Sequence, residues 1–553
     1  MKTVINKIKN IDKEKRYIYI TLFIFSVLAI LKLFSHEPWR DEAQAWLLAR
    51  DLNCFELIAN MKFEGHPILW HLCLKVLQLF KLPYFSQMVL HVILNILAVY
   101  LILAKIKMDK YLKLLFIFSD IVAFEYLVFS RNYVLVLLLL VIIAIVYKDR
   151  FKRPILYSIL LILLANTTSH ALGVVFALSL IYLFEAIKKY RNFRKINRSI
   201  DEEKEDINKK NEEKVDEKLI FSKKKLITVV ICTIIIILVS IAVIMLLNNQ
   251  ALDGKLVEVS FPKTVSEWKD FIINGLNTYG AAFIGNIETE SIYENYVGIA
   301  MLICGIVLFI RNPKVLFLYV FSSGFLCALF NLVLYRGVRH LYLYVLIFMF
   351  CLWIKSSYEE IEINETKDNL RNISEDKEVF KRSKIDYMVN VLLSFFLFLL
   401  VIIGIVNTGE NYLKIYSDGK NVANFIKSEG YTEYTFISLE SAIATSILPY
   451  IKGKELWCIE DENYHTYIPW TKEFNNIIVS QNNIEEMIEK FATIRDIKEV
   501  IDENFDKKDN LLLIFDKRIL LSEEYLEELN LVYTSDETII DERFNIFTYK
   551  MEE

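Results

Sequence analysis

The sequence predicts an α-helical polytopic membrane protein, with about eleven transmembrane helices and a C-terminal extracytoplasmic α/β domain. Three observations carry this. Of 553 residues, 54% are hydrophobic, the mean hydropathy is +0.35, and long runs such as 227–247 and 389–406 are free of charged side chains. The basic loops all fall on one side in a single register. After residue 406 the long apolar runs stop and short alternating elements begin.

In chain order, spans are predicted near 17–34, 85–104, 111–129, 134–147, 154–165, 171–187, 226–247, 296–310, 315–334, 341–354 and 387–406. The N-terminus is basic (Lys2, Lys7, Lys9, Lys13, Lys15, Arg16), and no small-residue cleavage site follows Phe34, so the first span is retained. With that terminus in the cytoplasm, the basic loops 105–113, 148–153, 188–225, 311–314 and 355–384 are cytoplasmic as well. The C-terminus is then extracytoplasmic, and the chain is a multi-pass protein of the plasma membrane.

Segment 66–83 is apolar but broken by His71, Lys75 and Gln78. Crossing there would turn the later basic loops outward, so it is expected as an amphipathic helix on the outer interface. The membrane domain is 1–406, with an outer loop 35–84 and charged cytoplasmic loops 188–225 and 355–385. Both charged loops are expected as solvated linkers. In 407–553, strands are expected at 434–439, 455–459 and 511–515, and helices at 420–428, 441–450, 484–491 and 522–529.

A net charge of -4 gives no electrostatic case for nucleic acid. The seven cysteines show neither metal-ligand spacing nor a disulfide framework.

The predicted outer ends of the helices carry Asp41, Glu42, His66, Arg131, Tyr133, His170, Arg336, Arg339 and His340. None of them was needed to choose the orientation. Ionisable groups at such depth are costly unless solvated, paired or liganded. Asp41 and Glu42 follow Pro38 at a helix start and point about 100° apart, so they divide two tasks. They suit either a general base with its helper or the acid-rich first turn of an interfacial helix. His66, in Gly65-His66-Pro67, fits substrate binding or helix capping. Arg131 and Tyr133 sit in an outer turn, where an arginine runs against the positive-inside bias and suits a phosphate. His170 ends another polar turn. Arg336, Arg339 and His340 suit a lipid phosphate or an ordinary anionic headgroup.

Together these residues resemble the GT-C class of membrane glycosyltransferases, and most closely the protein O-mannosyltransferases and the aminoarabinose and galacturonic acid transferases. Asp41-Glu42 matches the acidic pair after the first span of that class. His66-Pro67 matches its His-Pro-Pro element, with Ile68 in place of the second proline. Arg131-Asn132-Tyr133 matches its Arg-x-Tyr turn, and His170 its next outer histidine. The resemblance covers about 17–187; Arg336, Arg339 and His340 follow by analogy with late cationic residues.

The resemblance implies inverting transfer of a sugar from a polyprenyl-phosphate donor to an acceptor hydroxyl on the extracytoplasmic face. The acceptor is a glycan, a lipid or a protein. Asp41 would be the base, Glu42 would orient the acceptor, and the cationic residues would bind the donor phosphate. A divalent cation serves some members of the class; two adjacent acids and one histidine define no ligand set here. A transporter or flippase of lipid-linked glycans is the alternative, and a noncatalytic scaffold is a third reading. The first of these more often shows internal repeats or helices broken by glycine and proline.

Overall fold

A backbone in hydrocarbon must satisfy its own hydrogen bonds, so apolar runs of this length become helices. The structure, a computed structural model, describes residues 13–206, 222–253, 261–285, 292–332, 337–369, 384–439, 441–459, 461–470, 497–519 and 521–550. The helical part runs α1 (Lys13–Ser35), α2 (Arg40–Asp51), α3 (Cys54–Glu64), α4 (Leu69–Leu79), α5 (Phe85–Lys105) and α6 (Lys110–Ile117). A π-helical turn (Ile121–Glu125) and a single turn (Tyr126–Val128) lead to α7 (Tyr133–Val146) and α8 (Pro154–Ala165). Then come α9 (Leu172–Asp206), α10 (Lys223–Asp253), α11 (Val265–Ile284), α12 (Ile292–Phe309), α13 (Pro313–Leu332), α14 (Val338–Asn369) and α15 (Lys384–Leu413).

Among the described residues, eight helices are long and apolar enough to cross a membrane: α1, α5, α9, α10, α12, α13, α14 and α15. Phe23, Phe34, Leu238, Met245 and Ile405 on these helices are exposed, as lipid-facing residues would be. The other three predicted spans differ. Segment 111–129 breaks into α6, the π turn and the turn after it, and α7 and α8 have only 14 and 12 residues. The reason is burial. Most of α7 is enclosed by protein, so bilayer thickness does not set its length. The helix α4, at 11 residues, rises about 16 Å and is too short to cross.

The helices α3 and α11 were not predicted. α11 mixes its apolar residues with Asn274, Asn277 and Thr278 and packs along α12. The two backbones touch: a Cβ on Gly280 would lie 1.9 Å from the Glu294 carbonyl oxygen, and one on Gly298 would lie 2.2 Å from that of Leu276. Small residues permit such close crossing. Loop 188–225 begins as the continuation of α9 to Asp206, and 355–385 as that of α14 to Asn369. Residues 207–221 and 370–383 lie outside the described residues.

The C-terminal part comprises α16 (Gly419–Ser428), β1 (Thr435–Ser438), α17 (Ser441–Ala444), β2 (Leu456–Cys458) and β3 (Asn463–His465). It continues with α18 (Ile497–Asn504), β4 (Leu511–Asp516), α19 (Glu523–Glu528), β5 (Leu529–Thr534) and β6 (Phe544–Tyr549). The sheet order is β3-β2-β1-β4-β6-β5. β1 pairs parallel with β2 and β4, whereas β3 and the β6-β5 pair are antiparallel. β4 is buried at every position, as a central strand covered on both faces should be. The predicted helix 484–491 lies outside the described residues. Ala43 and Leu47 of α2 belong to the core of this α/β part. The helix that begins with the acidic pair is therefore shared between the two halves of the molecule.

Candidate functional site

Pro38 and Trp39 end an extended segment, and α2 starts at Arg40. The first turn of a helix has free N–H groups that favour acids. Glu42 uses that turn structurally. Its carboxylate accepts from His36 Nε2 at 2.9 Å, from the Trp39 N–H at 3.3 Å and from the Ser130 N–H at 2.7 Å. Glu42 is completely buried. Burial opposes its charge, but His36 and the two backbone donors outweigh it and hold the carboxyl below the ordinary glutamate range. Gln87 of α5 donates to the Glu42 carbonyl at 3.0 Å. Glu42 thus locks the loop before α2 to the 130 turn, and its oxygens are taken.

Asp41 points elsewhere. Its Oδ2 lies 3.1 Å from Arg131 Nη1 and its Oδ1 3.5 Å from Arg40 Nε, with the side chain 31% exposed. Arg131 also donates to the Asp41 carbonyl at 2.8 Å. Burial pushes the Asp41 carboxyl up, and Arg131, Arg40 and Arg339 together hold it below its ordinary value. The Arg131 turn is pinned on its other side by Asn132, which donates to the Thr167 carbonyl at 2.7 Å.

His66 follows Gly65, whose φ of 66° turns the chain at the end of α3. Its ring interacts with Arg131, His170 and Asp41, and burial holds it well below the ordinary imidazole value, so it is neutral. His170 takes Thr168 Oγ1 on Nδ1 at 2.8 Å and stacks on His340, with ring centroids 5.0 Å apart. His340 meets Tyr133 edge-on at 5.5 Å. Arg339 Nε donates to Glu125 Oε2 at 3.2 Å, and its guanidinium lies 4.2 Å from the centre of the Phe129 ring. Asp41, His66, Arg131, Tyr133, His170, Arg339 and His340 therefore form one cluster. Glu42 sits behind it, and Arg336 lies outside the described residues.

Several buried polar atoms around this cluster have no hydrogen-bond partner among the described residues. They are His66 Nδ1, both ring nitrogens of His71, Tyr133 Oη, Ser169 Oγ and His170 Nε2. Native interiors leave few such atoms, so these make the cluster the candidate site for a polar ligand. Among the described residues, no group of three or more His, Cys, Asp or Glu side chains could hold a metal ion.

The sequence reading missed Glu64, Gln44 and Glu542. Gln44 Nε2 donates to Glu64 Oε1 at 2.8 Å and to the Ile468 carbonyl at 2.9 Å, while its Oε1 accepts the Ile468 N–H at 2.8 Å. Burial lifts the Glu64 carboxyl to about 7, against Gln44 and Arg131, which lower it, and with Asp41, which adds to the rise. Glu542, buried in the α/β part, accepts the Arg40 N–H at 2.9 Å and the Ser417 hydroxyl. Burial raises it to about 7 as well. The α/β part therefore clamps both ends of the first turns of α2. The chain matches no protein-family model, no curated protein and no solved structure.

Proposed function

We propose that the protein is an inverting glycosyltransferase that moves a sugar from a polyprenyl-phosphate donor to an acceptor hydroxyl on the extracytoplasmic face of the membrane. The observation that supports this most is the Asp41–Arg131 ion pair ringed by neutral histidines with unpartnered nitrogens. A guanidinium beside a carboxylate can hold a phosphate leaving group next to a base.

The acceptor oxygen attacks the anomeric carbon on the face opposite the phosphate. The bond from that carbon to the phosphate oxygen breaks, polyprenyl phosphate leaves on Arg131, and the acceptor proton passes to a carboxylate. A single displacement inverts the anomeric centre and needs no covalent sugar intermediate. The sequence points to Asp41 as the base, and the electrostatics favour Glu64 for that step. Asp41 is paired with two guanidiniums, which weakens it as a proton acceptor. Glu64 makes no ion pair among the described residues and titrates near the working pH. Asp41 then holds Arg131 and orients the acceptor.

The test uses the purified full-length protein, radiolabelled polyprenyl-phosphate monosaccharides and a membrane extract as acceptor. The wild-type rate should rise as pH passes through about 7. Glu64→Gln should lose that inflection with roughly 10²–10⁴-fold of the rate. Asp41→Asn should abolish transfer at every pH. Undiminished transfer in both variants would sink the assignment, and movement of the lipid-linked glycan across vesicles without covalent transfer would favour the flippase.

A further inference from the structure

The opposite end of the bundle holds a second feature that the transferase reading does not use. From Gln87, which touches Glu42, to Lys105 the helix α5 rises about 27 Å, close to the thickness of a hydrocarbon core. There a cavity of about 360 Å³ opens between the end of α5, the turns after α7, and α14. Lys105, Lys107, Lys148 and Arg153 line it, opposite Asp149 and Glu360. Glu360 is shared by Lys107 at 3.1 Å and Lys148 at 3.2 Å, and Asp149 accepts from Lys152 at 2.8 Å. Lys105 and Arg153 form no ion pair among the described residues, so the cavity keeps a surplus of positive charge.

Two further observations mark this as more than a basic surface. Trp353 lines the cavity and is buried, and its indole N–H has no hydrogen-bond partner among the described residues. An indole N–H buried without an acceptor is costly, and an incoming anion would supply one. The walls are also braced from behind. Arg150 and Lys314 both donate to Glu185, Tyr358 Oη donates to Glu185 at 2.8 Å, and Tyr147 Oη meets Tyr358 Oη at 2.8 Å. That network fixes α14 against the turn after α7. The wall is apolar on one side, where Ile106, Ala144, Ile145 and Val146 line the cavity.

We propose that this cavity binds a phosphate group carried on an anionic headgroup. Lys105 and Arg153 would supply its free cations, and Trp353 a hydrogen-bond donor. The reading is independent of the chemistry proposed at Asp41.

The full-length protein in detergent is titrated with dioleoyl phosphatidylglycerol, with dioleoyl phosphatidylcholine and with glycerol phosphate, and thermal unfolding is followed. Phosphatidylglycerol should raise the unfolding temperature and phosphatidylcholine should not. Lys105→Gln combined with Arg153→Gln, both exposed positions, should weaken that binding at least about tenfold. Trp353→Phe should weaken it less. Equal stabilisation by glycerol phosphate, lost in the double variant, supports the site and identifies a soluble phosphate as its source. Stabilisation that phosphatidylcholine matches, or that survives the double variant unchanged, overturns the proposal.

Discussion

The two ends of the helical bundle bury ionisable groups in opposite ways. At the Glu185 end the carboxylate is saturated: it accepts from Arg150, Lys314 and Tyr358, and Arg150 also donates to the Tyr147 carbonyl, while Arg150 Nε and the Trp353 indole nearby keep no partner among the described residues. At the Asp41 end, Arg131 holds one carboxylate while Glu64, His66, His71, His170 and Tyr133 keep polar atoms unsatisfied or proton affinities displaced. A saturated buried network adds rigidity, whereas an unsaturated one stores interactions for something that arrives later. Under the proposed function, the Glu185 carboxylate is a structural charge and the Asp41 cluster the chemical one.

The largest effects should divide along that line. Glu185→Ala strands the buried Arg150 guanidinium, and breaking such a pair costs about 3–5 kcal/mol. Thermal unfolding in detergent should show a large loss, while transfer per folded molecule stays near the wild-type rate. Glu64→Gln should do the reverse, keeping the Gln44 contact through its amide oxygen and losing rate. If Glu64→Gln unfolds the protein as Glu185→Ala does, both ends are structural and the contrast fails.

How much of this was legible in the sequence follows from what each feature depends on. The long uncharged runs inside α10 and α15 could be read because hydrocarbon imposes their length. α7 could not be measured that way, since protein encloses it, and the polar residues of α11 hid a helix whose packing depends on Gly280 and Gly298. In the α/β part, the buried strands β1, β2 and β4 were apparent, while the exposed β3 and the β5–β6 hairpin carried weaker patterns. Asp41, His66, Arg131 and His170 stood out as ionisable groups at predicted helix ends. Glu64 and Glu542 did not. Glu64 is held by Gln44, which is itself fixed by Ile468 of the α/β part 424 residues away, and Glu542 meets Arg40 across 502 residues. No local pattern announces such contacts.

Glu542 offers a pH test of the clamp that joins the two halves. Its folded value of about 7 lies above the ordinary 4.5, so the folded state holds an extra proton between those values. Stability from this group is therefore full below pH 4.5, declines as pH rises toward 7, and is flat above. Glu542→Gln keeps the neutral form at every pH. It should match wild type at pH 4.5 and exceed it at pH 8, by on the order of 3 kcal/mol at most. A variant equally stable at both ends of that range, relative to wild type, would mean that the clamp does not titrate.

The smallest effects come from two tyrosines and compare the ends most directly. Tyr358 Oη donates to Glu185, so Tyr358→Phe removes a hydrogen bond to a buried charge and should cost about 1–3 kcal/mol of stability. Tyr133 Oη has no partner among the described residues, so Tyr133→Phe removes an unsatisfied buried hydroxyl. It should leave stability unchanged or slightly raised. The same Tyr133→Phe change should raise the donor KM if the hydroxyl meets the substrate, with kcat less affected. A stability loss at Tyr133 as large as that at Tyr358 would show that the hydroxyl is bonded in the folded protein, and the unsaturated character of the Asp41 end would then rest on the histidines and Ser169.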